Sequence, residues 1–327
     1  MGLRTYIMKR IIFSILILYA VITVNFVIFM MMPGDPTLIM ASSIKLKNPE
    51  IIQSVTEKFG LDRPMHERYV KYVFNMLTFE FGYSYYTNKP VIEQVGMRLQ
   101  NTLLLVIPPE LLSIVVGVMI GVIVAEKRGG LLDSASVITA LAVYALPVFW
   151  IAMMLVMVFS FQLQWLPSGY TFPDWWASQP HAIWEEMAMG LKHLILPWAT
   201  LFLLSCGGYI LLVRATMLEC ITEDYVLTAR AKGLKKRTVL FKHTLKNALL
   251  PLITDIAIVF GFTLSGAIIT EQLFRYPGMG WWIWDSISTF DYPVLQTVFY
   301  VIAICVIVAN LIADILYGVV DPRIRYG

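Results

Sequence analysis

The chain is short of charge. Only 14% of its 327 residues are Asp, Glu, Lys or Arg, against about 25% in soluble domains, and 58% are hydrophobic. This composition excludes an ordinary soluble protein and predicts a chain that lies mostly within a bilayer. The 25 basic and 22 acidic residues are too evenly balanced to indicate a nucleic-acid partner.

Cysteine and histidine are also scarce. The three cysteines (Cys206, Cys220 and Cys305) lack the paired spacing of a disulfide framework, and the four histidines never stand at metal-ligand spacing. A phosphate-binding loop of the form Gly-x4-Gly-Lys-Ser/Thr does not occur in the sequence. We therefore expect no metal, no cofactor and no ATPase active site in this chain.

Long apolar runs dominate instead. Residues 11–32 form an uncharged run of 22, which as a helix would measure about 33 Å at about 1.5 Å per residue and would cross a bilayer. The run is longer than the core of a cleaved signal peptide and has no small-residue cleavage site after it, so we expect a retained anchor. Six such runs predict an all-α polytopic membrane protein with six transmembrane helices, over residues 11–32, 103–125, 135–162, 194–213, 249–270 and 294–320.

Basic residues predict the orientation of these spans. The segments assigned to the inner side hold fifteen Lys and Arg, whereas the short outer loops 163–193 and 271–293 hold one each. The positive-inside rule therefore predicts a cell-membrane protein with both termini in the cytoplasm. The inner segments are residues 1–10, 126–134, 214–247 and 321–327.

The outer segment 33–102 is too long to be a plain connector. We predict one helix over residues 48–60 and another from Pro64 onward, where apolar residues recur at helical spacing. Two interpretations stay open, an interfacial hairpin that shields the bundle and a region that docks a partner protein. The chain then divides into a cytoplasmic N-terminus with the first span (1–32), this extracytoplasmic region (33–102), a five-helix core (103–320) and a cytoplasmic tail (321–327).

The inner segment 214–247 is unusually basic, with eight Lys and Arg against three acids. Glu223 and Asp224 suit the start of a helix, Gly233 is typical of its end, and a second apolar pattern leads into the fifth span. The pattern predicts a helix, a glycine turn and a second helix, which together form a rigid knob on the inner side. The alternative is a plain topological anchor attracted to anionic membrane lipid.

The knob sequence resembles a known family. Residues 223–234 (EDYVLTARAKGL) and 243–251 (HTLKNALLP) are similar to the signature of the Glu-Ala-Ala loop permeases of ATP-binding-cassette (ABC) importers, in the oligopeptide, dipeptide and nickel branch. The chain has Leu227 and Thr228 where the general motif has Glu and its first Ala, so Asp224 would have to supply the acid. Other short motifs of the branch occur in order along nearly the whole chain: PGDP at 33–36, LPVFW at 146–150, WLP at 165–167, YPGMG at 276–280 and DPRIR at 321–325.

The resemblance implies a type I importer fold with a cytoplasmic coupling helix. The implied partners are a second homologous permease subunit, two cytosolic ABC ATPases that carry ATP and Mg²⁺, and an extracytoplasmic binding protein. The knob would then sit in an ATPase groove, where Ala229 and Ala231 are small enough for close approach. Arg230 and Lys232 would face an acidic rim of that groove. The expected coupling residues are Asp224, Tyr225, Thr228, Ala229, Arg230, Ala231, Lys232 and Gly233.

Charged and helix-breaking residues inside the spans are the candidates for a pathway or a gate. These candidates are Pro147, Asp255 and Asp314. We expect Pro147 to kink the third span, and for the two aspartates we favour packing between helices or partner contact over substrate contact. Glu110 follows two prolines near an expected outer helix end, where partial solvation predicts a structural role.

Two other functional classes fit the sequence less well. A secondary transporter or channel would share the polarity but would not require an ordered basic knob. An intramembrane protease would require a Gly-x-Gly-Asp or Gly-x-Ser-Gly sequence, and neither surrounds Asp255 or Asp314. From the resemblance we expect an oligopeptide or dipeptide as substrate, with short oligosaccharides or nickel as the alternative.

Overall fold

The computed structural model describes residues 3–31, 63–170 and 182–320. Within these ranges the backbone is helical apart from turns, loops and an isolated bridge between Tyr83 and Pro90. The helix expected over residues 48–60 and the tail 321–327 lie outside the described residues. The predicted all-α class is confirmed for the described part of the chain.

The helices follow one another in this order. The N-terminal part of the chain contains α1 (Leu3–Met31), α2 (Met65–Leu77) and α3 (Val91–Glu126). The middle contains α4 (Leu131–Tyr144), α5 (Val148–Leu155) with its π-helical continuation (Val156–Gln162), and α6 (Ile183–Cys220). The remainder contains α7 (Asp224–Ala231), a short helical turn (Lys236–Thr238), a π-helix (Val239–Thr244), α8 (Leu245–Leu273), α9 (Met279–Thr289) and α10 (Tyr292–Val320).

Several boundaries differ from those predicted. Helix α3 begins at Val91 instead of residue 103, and α6 begins at Ile183 instead of residue 194. In both cases the first turns carry acids, such as Glu93 and Glu185, which end the apolar run in the sequence while suiting a helix N-terminus. Helix α9 occupies a segment that we predicted to be an outer loop.

Four helices are each long and apolar enough to cross a membrane, namely α1, α3, α6 and α10. The bent pair formed by α4 and the α5 segment raises this number to five if it makes one span. The chain is therefore a multi-pass membrane protein. The count of six stays a prediction, because it also requires α8, a 29-residue helix whose central side chains lie outside the described set.

The third predicted span is broken at Pro147. Helix α4 and the α5 segment meet at an angle of 100°, and Pro147 stands at the N-cap position of α5. Proline has no N–H to donate and disfavours the helical conformation of the residue before it. The expected kink is thus a bend of roughly a right angle between two separate helices.

Helices α3 and α6 pack closely against each other. Gly117 and Gly121 lie one turn apart on α3, against Tyr209 and Val213 of α6. A Cβ on Gly117 would lie 2.5 Å from the Cβ of Tyr209, and one on Gly121 would lie 2.8 Å from that of Val213. Small residues at this spacing let helix backbones approach closely in membranes. This packing fixes the C-terminal parts of α3 and α6 against each other beside the knob.

Candidate functional site

The knob is built around the short helix α7. Its inward side consists of Val226 and Ala229, which pack on Val239 and are almost completely buried. The backbone enters α7 from an extended Glu223 and leaves it through Lys232, whose amide donates to the carbonyl of Thr228 at 3.1 Å. The knob therefore has a small apolar core of its own.

Most of the expected coupling residues are exposed on the knob. They are Asp224, Tyr225, Thr228, Arg230, Ala231, Lys232 and Gly233. Ala229 is the exception: only 5% of it is exposed, so the expectation that it would give a partner close approach is corrected. Its small side chain instead packs with Val226 and Val239 in the core of the knob.

Leu227 is a surface residue that the sequence did not single out. Its side chain is 52% exposed on α7, and Leu234 beyond the turn is 39% exposed. The available signal was an apolar residue among polar ones in a basic loop far from any span. With Tyr225 at 37% exposure, the two leucines make three exposed apolar or aromatic side chains on and just after α7.

Gly233 forms the predicted turn after α7. Its φ of +72° lies in the left-handed region, which glycine enters without a Cβ penalty. Its amide donates to the carbonyl of Arg230 at 2.9 Å. A Cβ at this position would meet no atom within 4 Å. Any cost of a substitution at Gly233 would therefore come from the backbone conformation alone.

Tyr225 attaches α7 to its neighbours. Burial raises the pKa of its hydroxyl above the ordinary value, and its hydrogen-bond partners are Asn247 and Cys220. These two residues belong to the first turn of α8 and the last residue of α6. The tyrosine thus holds the knob to both helices that carry it.

Ion pairs connect the knob and the helix ends beside it. Lys236 Nζ lies 2.9 Å from Glu126 Oε1 at the end of α3. Arg214 Nη2 of α6 lies 3.0 Å from Asp133 Oδ2 of α4, and its Nε also contacts the same carboxylate. Asp224, which we expected to supply the acid of the motif, forms no ion pair within the described ranges. The role of Asp224 as the motif acid stays a prediction.

Asp314 connects the first and last helices. Its carboxylate lies 3.0 Å from Arg10 Nη1, and its backbone carbonyl accepts from the hydroxyl of Tyr6 at 3.2 Å. This arrangement is the packing between helices that we favoured for Asp314 from the sequence.

Glu110 is deeply buried, in contrast to the partial solvation that we expected. It is 3% exposed because it lies in the middle of α3, and the hydroxyl of Tyr209 on α6 donates to its carboxylate. Asp255 is half-buried on α8 and lies near enough to act electrostatically on the same tyrosine. The two acids thus share one neighbour, Tyr209, and no such grouping connects either of them with Pro147 or Asp314.

Glu271, an acid that the sequence did not single out, is completely buried at the end of α8. Thr102 Oγ1 donates to its Oε1 at 2.7 Å, and the amide of Trp281 donates to its Oε2 at 2.8 Å. The amide of Met279 donates to Thr102 Oγ1, also at 2.8 Å. A Cβ at Gly278 would collide with the carboxylate, which explains the glycine of the YPGMG motif. Glu271 therefore fixes the start of α9.

Asp291 forms a similar centre at the junction of α9 and α10, where it is 3% exposed. Its carboxylate accepts from the Ser84 hydroxyl, from the Tyr85 amide at 3.0 Å and from the Tyr86 amide at 3.3 Å. These donors belong to a tight hairpin, closed by a bond from the Val91 amide to the carbonyl of Gly82. The carboxylate holds that hairpin against the last two helices.

The chain was compared with known families and proteins. The family described as "Binding-protein-dependent transport system inner membrane component" matches residues 117–326, and its N-terminal component matches residues 3–106. The chain belongs to this family. The permease is 37% identical to the oligopeptide transport system permease protein AppB of Bacillus subtilis, over 99% of this chain and 100% of that protein.

Two further relatives cover the permease almost completely. The dipeptide transport system permease protein DppB of Escherichia coli K12 is 36% identical over 98% of both chains. The glutathione transport system permease protein GsiC of Escherichia coli O1:K1 is 33% identical over 98% of this chain and 99% of that protein. The resemblance found in the sequence is therefore confirmed.

Proposed function

We propose that this chain is the permease subunit of an ATP-driven importer that carries peptides delivered by an extracytoplasmic binding protein. The observation that carries the proposal is the ordered knob, with its own core and an exposed outer side, in a chain of this family. The relatives are named for oligopeptide, dipeptide and glutathione transport, and all three substrates are peptides. The permease would pair with a second homologous subunit and with two cytosolic ATPases that bind ATP and Mg²⁺.

The exposed side of α7 would enter a groove of one ATPase. Leu227 would be the apolar anchor, since buried apolar side chains dominate binding at such interfaces. Arg230 and Lys232 would lie at the rim, where charge sets the rate and specificity of association. A shift of α7 would reach α8 through the π-helix and α3 through the Lys236–Glu126 pair. The bundle would then alternate between inward and outward access.

The orientation that this role requires has both termini and the knob in the cytoplasm. The clustering of basic residues in the inner segments supports it. Lys236 is a suitable reporter because its side chain is 74% exposed. A cysteine placed there should react only after the membrane is made permeable to the labelling reagent. Labelling of this cysteine in intact cells by an impermeant reagent would show that the orientation is the opposite of the proposed one.

The outer region would dock the binding protein. Helix α2 exposes an apolar row at helical spacing, formed by Val70, Phe74 and Leu77 at 66%, 61% and 55% exposure. Substituting all three with serine should slow uptake while leaving membrane insertion and basal ATP hydrolysis unchanged. Unaltered uptake at limiting binding protein would assign this row a shielding role instead.

The coupling role is tested most directly at Leu227. Leu227→Asp should remove the apolar anchor, weaken ATPase co-purification by about tenfold or more, and abolish uptake in reconstituted vesicles, with normal insertion. The matched control is Leu163→Asp, since Leu163 is also exposed, at 41%, beyond the end of the π-helical continuation of α5. If Leu227→Asp retained ATPase association and uptake, the knob would be only a basic anchor.

A further inference from the structure

A cavity of about 550 Å³ lies between α2, the hairpin that follows it and the ends of α1 and α10. Its walls are largely aromatic and include Phe26, Phe29, Tyr72 and Tyr292. A volume of several hundred Å³ is typical of sites for small ligands. The cavity is separate from the knob and from the buried acids Glu110 and Asp255.

The charge of the cavity is positive. Three cations line it, Arg63, Arg68 and Lys71, against one carboxylate, Glu80. Arg63 is partly neutralised by Glu67 at 3.8 Å. Arg68 is half-buried, yet neither it nor Lys71 forms an ion pair with any residue that the structure describes. A half-buried guanidinium without a counter-charge favours an anionic ligand.

One further donor points to an acceptor group in the cavity. The hydroxyl of Tyr72 accepts a hydrogen bond from Asn25 Nδ2 at 2.9 Å, which leaves the hydroxyl proton available for donation. Asn25 is committed, because it also donates to the carbonyl of Gln296 at 3.0 Å. Guanidinium, ammonium and hydroxyl donors together suit the oxygens of a phosphate.

The position of the cavity along α1 indicates whether the phosphate belongs to a membrane lipid. The ion pair of Arg10 and Asp314 marks the opposite end of α1 and α10. Phe26 and Phe29 follow Arg10 by about 24 and 28 Å along the helix axis at about 1.5 Å per residue, close to the hydrocarbon thickness of about 30 Å. The cavity therefore lies at the level of the lipid head groups.

The surface of α1 beneath the cavity would accommodate acyl chains. Ile11, Ile12 and Ile15 are apolar, are between 41% and 60% exposed, and lie on the same side of α1 as Phe26 and Phe29 at 3.6 residues per turn. They form an apolar surface between the cavity and the Arg10 end of the helix. A soluble phosphate would make no use of it.

We propose that this cavity binds the phosphate head group of an anionic phospholipid in the leaflet opposite the knob. Arg68, Lys71 and the Tyr72 hydroxyl hold the phosphate, while the acyl chains lie along α1. The bound lipid fixes α2 against α1. The site is independent of peptide transport, so its test does not use uptake.

Native mass spectrometry of the full-length chain in detergent tests the proposal, with phosphatidylglycerol and phosphatidylcholine as probes. We expect phosphatidylglycerol to bind at least about tenfold more tightly, and Arg68→Gln/Lys71→Gln to remove this preference. Lys89→Gln is the matched control, because Lys89 is exposed on the neighbouring hairpin but does not line the cavity.

Other outcomes would contradict the proposal. If the two lipids bound equally, or if Lys89→Gln lowered phosphatidylglycerol binding as much as the double variant, the binding would reflect general surface charge and not this cavity. Displacement of the lipid by millimolar glycerol 3-phosphate would assign the cavity to a soluble phosphate. Displacement by a dipeptide would make it a peptide site. If the double variant does not fold, Lys71→Glu at an exposed position must still lower phosphatidylglycerol binding for the proposal to stand.

Discussion

The two ends of the permease are held together by different chemistry. At the end that carries α9, the carboxylates of Glu271 and Asp291 are buried and bound by hydroxyls and backbone amides. At the knob end, the carboxylates of Glu126 and Asp133 pair with cations on other segments. At the α9 end most of the donors are backbone amides, whereas at the knob end the ion pairs join separate segments through side chains, and only Asp133 also accepts a backbone amide, that of Gly129 at 2.8 Å.

This difference indicates which end can move. A backbone amide leaves a buried carboxylate only if its whole turn moves, and an unpaired buried group is costly. A side-chain ion pair can re-form with water or with a new partner at a smaller cost. We therefore interpret the α9 end as a fixed platform and the knob end as the part that rearranges during transport.

The largest effect should follow from removing the buried acid of the platform. Glu271→Ala leaves Thr102 and the Trp281 amide without an acceptor and should lower the free energy of unfolding by about 3 kcal/mol or more. The change in the free energy of unfolding is measured on the purified permease in detergent by tryptophan fluorescence. Glu93→Ala, at an exposed acid of α3, is the control and should change stability little. Similar stability in both variants would refute the fixed platform.

A smaller effect is expected at the Asp133–Arg214 pair, because the arginine side chain is 26% exposed. Asp133→Ala should lower the free energy of unfolding by less than Glu271→Ala does. The double variant with Arg214→Ala should cost about as much as either single change, and 1 M salt should narrow the difference from wild type. Strictly additive losses would mean that the pair does not couple α4 to α6.

Next in size is the backbone effect at Gly233. Gly233→Val should destabilise the knob by about 1 to 2 kcal/mol through its left-handed conformation and should reduce transport-coupled ATP hydrolysis. Gly190→Val is the matched control, since Gly190 lies in α6 with equally open surroundings and no positive φ. Equal ATP hydrolysis in the two variants would show that the turn geometry is dispensable.

The smallest effect should come from the exposed pair at Lys236. Lys236→Gln should alter stability by less than about 1 kcal/mol, as for other surface ion pairs. Lys235→Gln, at the adjacent exposed position, should be indistinguishable from it in unfolding experiments. A large loss confined to Lys236→Gln would mean that the knob end is as firmly fixed as the platform.

The sequence correctly predicted those features of the permease that depend on neighbouring residues in the chain. The apolar runs located α1 and α10 to within about ten residues at every end. Gly233 adopts the predicted left-handed turn, and Pro147 interrupts the third span. In each case one residue type or one continuous run determines the outcome.

The remaining features depend on partners that are distant in the sequence. Glu110 is buried beside Tyr209, which donates a hydrogen bond to it although the two residues are 99 positions apart in the sequence. Glu271 meets Thr102 across 169 residues. Ala229 faces inward because Val239 covers it, which depends on how the π-helix returns after Gly233. Periodicity carries no information about such contacts, so they could not be predicted.

The contact between Ser84 and Asp291 has a consequence for biosynthesis. These residues are 207 positions apart, and translation at about 5 to 20 residues per second separates their emergence by about 10 to 40 seconds. During that interval the early hairpin lacks the acid that will bind its amides. The platform at the α9 end is therefore completed only after Asp291 has been made, and in a nascent chain halted before Asp291 the hairpin amides remain exposed to quality-control proteases.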